Sequence, residues 1–132
     1  MQVAGLLSED KTELRSTLAK MSSSIEAVEN KFTGNTTIAA VITNGHFDKA
    51  QLCKIAGVAH NGYARAINPV HTSADGDSIY ALSVGEVNAD QDLVAALGAE
   101  VLSEAILRAV TSADSAYSLP SASELGFVEK SN

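Results

Sequence analysis

Cysteine is almost missing from this sequence: Cys53 is the single one among 132 residues. No internal disulfide can form, and a Cys/His zinc cluster of standard spacing is absent. Cys53 is expected as a buried helix residue rather than a nucleophile, because an unpaired cysteine packs as a small hydrophobe. Basic charge is also scarce. Nine Lys and Arg stand against 16 Asp and Glu, a net charge of -7, so no basic stripe exists that could neutralise several phosphates, and nucleic acid is a poor partner. Long apolar runs are lacking too. Those at 38–42 and 93–110 are short or broken by acidic residues, too little to cross a bilayer as uninterrupted helices. The first residues do not show the charged-then-apolar order of a secretory signal. Together these absences predict a soluble, cytoplasmic protein without a membrane partner.

What the chain does have is 45% hydrophobic residues, enough for the core of one compact domain. Leu14, Leu18 and Met21 recur at helical spacing behind Ser8 or Asp10 as a cap, which predicts a first helix over 8–21. Ile25 and Val28 continue the stripe weakly. Ser22-Ser23-Ser24 competes with helical hydrogen bonding, so 22–35 reads as a linker. Thr36 to Thr43 is rich in β-branched residues without polar alternation, as in a strand covered on both faces. Asn44-Gly45 is expected to turn the chain.

Asp48 and Gln51 form a capping box at the head of a second helix, with Leu52, Ile55, Ala56, Ala59, Tyr63 and Ile67 on one face and Pro69 as its stop. Ser78–Val84 reads as a second strand, approached through Asp75-Gly76-Asp77. A long helix follows over 90–110, with Leu93, Leu97, Val101 and Ala105 on one side and Leu102, Ile106 and Val110 beside them. So broad an apolar face implies contact with more than one layer. Residues 112–132 are rich in Ser and Ala and read as a loose tail. Two strands do not make an independent sheet, so the chain looks incomplete, and the order strand, helix, strand, helix suggests a layered α+β or α/β fold.

Three local features bear on chemistry: Gly34-Asn35-Thr36-Thr37 where linker becomes strand, Pro69-Val70-His71-Thr72 after the second helix, and Asp75-Gly76-Asp77 before the second strand. Each alone is weak, since such runs also serve as plain turns. Taken together, Phe32-Thr33-Gly34-Asn35-Thr36-Thr37-Ile38, Thr43-Asn44, Ala64-Arg65-Ala66-Ile67-Asn68-Pro69-Val70-His71-Thr72 and Asp75-Gly76-Asp77-Ser78-Ile79-Tyr80-Ala81-Leu82 resemble the P1 peptidase family. That family includes the L-aminopeptidase/D-esterase enzymes and is similar to the nylon-oligomer endo-amidases. The resemblance covers about residues 30–112, and the intervals between blocks match without gaps.

The resemblance implies an α+β fold, the layered αββα arrangement of N-terminal-nucleophile hydrolases, of which this chain is the C-terminal portion. Residues 1–35 would end the upstream segment, 36–112 would form a strand-helix-strand-helix unit bearing the nucleophile, and 113–132 the tail. By the same resemblance Thr36 cuts the chain after Asn35, and the freed α-amine then serves its hydroxyl as base. The ordinary pKa of such an amine, about 7.7–8.0, suits that task. Asp75 and Asp77 match the family's polar pair flanking a glycine and would orient the Thr36 hydroxyl and ammonium.

Around His71 no nucleophile elbow is found, and a structural hydrogen bond or a substrate contact is its expected role. His46 and His60 are read as surface or helix-packing residues and Arg65 as part of a solvated helix face. No cofactor or metal is expected. The partners implied are the upstream portion of the same enzyme, a peptide or small amide or ester substrate, and further copies in a homo-oligomer. A related acyltransferase shares the fold and is one alternative. A truncated, non-catalytic fragment acting as a binding module is another, because Met1 leads directly into Gln2-Val3-Ala4-Gly5-Leu6-Leu7, which resembles the interior of a longer protein.

Overall fold

In a computed structural model, residues 2–23 and 36–128 are described. Most of the expected linker, including Asn35, and the last four tail residues lie outside them. The elements are α1 (Thr17–Ser23), β1 (Ile38–Gly45), α2 (Lys49–Ala66), β2 (Ser78–Val87) and α3 (Gln91–Thr111). The chain divides into two compact units, Val28–Glu104 and a second made of Met1–Ala27 with Ala105–Asn132.

In the first unit β1 and β2 pair in parallel, with Ile38 opposite Ser78 and Val41 opposite Ala81. Parallel strands need a crossover, and α2 supplies it. The Asp48 carboxylate accepts the Gln51 N–H at 2.8 Å, and the Gln51 side chain accepts the Asp48 N–H at 3.0 Å. This is the reciprocal cap that the sequence predicts. The helix turns Ile55, Ala59, Gly62 and Tyr63 inward. Phe47, Ile55 and Ala95 form the centre of the core, joined by Val41 and Ala81 from the strands. At the head of α3 the Asp90 carboxylate accepts the Leu93 N–H at 2.8 Å. A Cβ on Gly62 would run into the Ala99 carbonyl oxygen and the Leu102 side chain, so the absence of a side chain there sets how closely α2 and α3 approach.

Several expectations are corrected. β1 is covered on one face only: its burial alternates, and Ile38 (69%) and Ile42 (66%) remain exposed together with Tyr80 (63%) and Val84 (68%) of β2. The apolar run lacks alternation, yet α2 and α3 supply just one layer. Asn44-Gly45 does not turn the chain but ends β1, where the register shifts between Thr43 and Gly45. Cys53 is on α2 as expected but exposed, since it falls between the inward positions Leu52 and Ile55.

The helix expected over 8–21 is confined to Thr17–Ser23. Upstream of it, side chains close a loop instead. Asp10 accepts from Ser8 at 2.6 Å and from the Thr12 hydroxyl at 2.9 Å, Lys11 takes a positive φ of 60°, and Leu7 bridges Leu14 antiparallel. Ser and Asp near a helix start compete with the helical ladder in this way, and Ser16 becomes the cap, accepting the Ala19 N–H at 3.2 Å. Residues 113–128, expected as a loose tail, run through turns in which Ser121 and Ala122 are buried and the Ser115 hydroxyl meets the Glu124 carboxylate.

The glycines of α2 provide a paired test. Gly62→Val should destabilise by about 2–3 kcal/mol through overpacking against Ala99. Gly57→Ala, which meets nothing within 4 Å, should stabilise by up to about 1 kcal/mol through helix propensity. Urea midpoints of the two variants against the parent measure both effects.

Candidate active site

Both strands begin at one edge of the sheet, so the segments that precede them are neighbours. Thr36 and Thr37 lead into β1, and Asp75, Gly76 and Asp77 lead into β2. The Thr37 N–H donates to Asp77 Oδ1 at 3.0 Å. The Thr37 carbonyl accepts the Ser78 N–H at 2.9 Å and the Tyr63 hydroxyl at 3.2 Å. Tyr63 also reaches the Ser78 carbonyl at 3.1 Å. Thr37 is therefore held on both sides of its Cα. Thr36, directly before it, has its side chain at Gly76: a Cβ on that glycine would stand 2.9 Å from Thr36 Oγ1.

Asp77 is the most enclosed charge of the group, its side chain 7% exposed. Its second oxygen lies 3.0 Å from His71 Nδ1. His71 has a positive φ of 55°, and its ring stands 4.9 Å from His60 and 6.0 Å from Tyr63, centroid to centroid. Asp75 faces a different way. Its carboxylate accepts the Thr72 N–H at 2.7 Å, while its own N–H donates to the Thr72 carbonyl at 3.0 Å, which closes the turn. Among the described residues, then, Asp77 bonds the peptide after Thr36, Asp75 bonds its own loop, and neither bonds the Thr36 hydroxyl. Burial first, and the nearby Asp77 carboxylate second, push the Tyr63 phenol above its ordinary value of 10.0.

His60 packs edge-on against Tyr63 as well, at 5.3 Å. His46 lies apart from this cluster, with Nδ1 2.9 Å from Glu86 on an exposed surface, and Arg65 is exposed on α2. Among the described residues no group of three or more His, Cys, Asp or Glu is placed to hold a metal ion, and no helix is long and apolar enough to cross a membrane. Two shallow hollows of about 510 and 740 Å³ are lined by residues of the terminal unit and include none of the residues just described. What sequence reasoning missed is Tyr63 as a donor to both strands. Its place on the apolar face of α2 is the available signal, because a buried tyrosine hydroxyl needs a partner.

The arrangement presents a threonine hydroxyl beside a glycine, at the end of a backbone fixed by a buried carboxylate and a buried phenol. Comparison with known proteins gives it a context. A family model described as peptidase family S58 matches residues 2–120, a wider span than the blocks at 30–112. An uncharacterized aminopeptidase of Mycobacterium bovis is 34% identical over 118 residues, covering 78% of this chain and 34% of that protein. One of Mycobacterium leprae is 35% identical over 101 residues, covering 65% and 28%. A 6-aminohexanoate-oligomer endohydrolase of Kocuria is 38% identical over 55 residues, covering 42% and 16%. The chain spans about a third of the length of the mycobacterial relatives. No solved structure matches it significantly.

The raised Tyr63 phenol has a consequence for stability. Above pH 10 the unfolded chain loses this proton while the folded chain keeps it, so unfolding releases a proton and stability falls as pH rises. The contribution is complete below pH 10 and is lost as pH rises through the folded value. Tyr63→Phe should remove that alkaline component and cost about 1–2 kcal/mol at neutral pH through its lost hydrogen bonds. Denaturant midpoints of both proteins between pH 7 and 11 provide the measurement.

Proposed function

The chain belongs to peptidase family S58, and from that membership and the geometry around Thr36 we propose that it carries the nucleophile of a self-cleaving hydrolase of amide or ester bonds. Thr36 is the nucleophile, and the activity is that of an aminopeptidase built on the layered αββα fold with further chain beyond these residues. The observation that carries the reading is the packing of the Thr36 side chain against Gly76, next to a peptide held by Asp77. A residue that must attack, leave as an ester oxygen and attack again needs a fixed backbone and a free side chain.

In the first reaction Thr36 Oγ adds to the Asn35 carbonyl carbon, the Asn35–Thr36 C–N bond breaks, and the nitrogen takes up the proton lost by the hydroxyl. Water hydrolyses the resulting ester, which leaves a carboxylate on Asn35 and a free amine on Thr36. In the second reaction that amine accepts the hydroxyl proton as Oγ attacks a substrate carbonyl, then returns a proton to the leaving amine or alcohol. Water releases the acyl group and regenerates Thr36. Asp77 supports these steps by fixing the Thr37 amide, and Asp75 by closing the loop that presents Gly76. The exposed apolar face of the sheet calls for further protein to cover it, as the hydrolase and the truncated binding fragment both require; what favours the hydrolase is the Thr36 junction.

Thr36→Ala should abolish both cleavage at Asn35–Thr36 and hydrolysis, and Thr36→Ser should retain part of each. Mass spectrometry of the purified protein, together with release of p-nitroaniline from aminoacyl anilides by the assembled enzyme, tests this. Parental turnover by the alanine variant would remove Thr36 as nucleophile. Gly76→Ala should force the Thr36 hydroxyl into another rotamer and slow cleavage. Its stability should change by no more than about 1 kcal/mol, since a hydroxyl rotor yields more readily than backbone, and time courses of chain cleavage alongside urea midpoints would separate these effects.

A further inference from the structure

We propose that His71 is a positioning residue that acts through Asp77 on the peptide between Thr36 and Thr37. The consequence for Thr36 chemistry rests on the function proposed above, whereas the relay itself does not. An ionised carboxylate only accepts hydrogen bonds, so the 3.0 Å approach of His71 Nδ1 to Asp77 Oδ2 requires a proton on Nδ1. The two carboxylate oxygens share one carbon and rotate together. Holding Oδ2 therefore sets the direction of Oδ1, which receives the Thr37 N–H at 3.0 Å.

Backbone conformation points the same way. His71 is a non-glycine residue in the left-handed region, φ 55°, a conformation that costs energy and persists where surrounding contacts impose it. Here the contacts are Asp77 from the segment before β2, and the rings of His60 and Tyr63 from α2. Asp75, the other carboxylate of this loop, is bonded to the N–H of Thr72, the residue after His71. The His71 side chain is 37% exposed, so it can be replaced without opening a sealed core.

Two variants separate the hydrogen bond from the backbone. His71→Asn retains an N–H donor bonded to Cγ, as Nδ1 is, and tolerates positive φ. His71→Gly also tolerates it but donates nothing. Amide hydrogen exchange at Thr37, resolved by NMR, should be similar in the parent and the Asn variant and faster by roughly ten-fold or more in the Gly variant. In the parent, long-range proton–nitrogen spectra should show His71 protonated at Nδ1. Unchanged Thr37 exchange in His71→Gly overturns the proposal, and so does a ring protonated at Nε2 alone; the second measurement decides even if the Gly variant fails to fold. In the assembled hydrolase His71→Gly should lower kcat by roughly ten-fold with little change in KM, and Asn should recover most of it. Full activity of Thr36→Ala would sink the hydrolase reading and leave the exchange result standing.

Discussion

Two parallel strands begin at the same edge of a sheet, so the residues that lead into them are neighbours whatever their distance along the chain. In this protein that geometry joins Thr37 to Asp77, forty residues apart. It also obliges the chain to travel the length of the sheet between them, and α2 makes that journey. The crossover does more than connect: near its end it carries Tyr63, whose hydroxyl spans the first hydrogen-bonded rung of the sheet by bonding the carbonyls of Thr37 and Ser78. The close approach of α2 and α3 at Gly62 belongs to the same packed layer. Sheet pairing, crossover and the Thr36 junction are therefore one constraint seen at three scales.

That layer covers one side of the sheet. Ile38, Ile42, Tyr80, Leu82 and Val84 project from the other, all exposed. Burial of a large aliphatic side chain contributes about 1.5–3 kcal/mol, so leaving four such side chains and a tyrosine exposed forgoes a large share of the stabilisation available to a domain this small. A two-stranded sheet is also marginal by itself. Sequence and structure part here: the apolar run of β1 lacks the polar alternation of a one-faced sheet, yet among the described residues only one face of it is covered. The layered αββα arrangement proposed for the family member accounts for the mismatch, because in it a sheet meets helices on one side and a second sheet on the other.

The elements legible in the sequence are those specified by local chemistry. Asp48 and Gln51 announce α2 because a capping box needs only residues three apart, and the inward residues of α2 repeat at helical spacing. Strands β1 and β2 follow from β-branched and apolar content. Where local preferences conflict, the pattern does not decide between them. Around Ser8, Asp10 and Thr12 the spacing of Leu14 and Leu18 favours a helix while the polar side chains favour a turn, and periodicity cannot weigh the two. Cys53 is exposed because its place on the helix, between Leu52 and Ile55, outweighs the preference of a free cysteine for burial. Asn44-Gly45 has turn composition, but pairing with β2 holds it in the sheet, with a shift of register, as the last two residues of β1.

The residues around Thr36 show a different limit. Their types and order were visible, since Thr36, His71, Asp75 and Asp77 all stand out where linker or loop meets strand. What spacing could not supply was the direction of each carboxylate. Asp75 and Asp77 are separated by a single glycine, yet one closes its own loop at Thr72 and the other reaches across to Thr37. Near-symmetry in sequence thus conceals a division of work that a backbone turn decides. On the proposed function, a carboxylate on the Thr37 amide would also suit Thr36 better than one on its freed amine. Close contact with the amine would favour its protonated form and weaken it as a base, whereas a contact one peptide away steadies the backbone and leaves that amine able to take a proton.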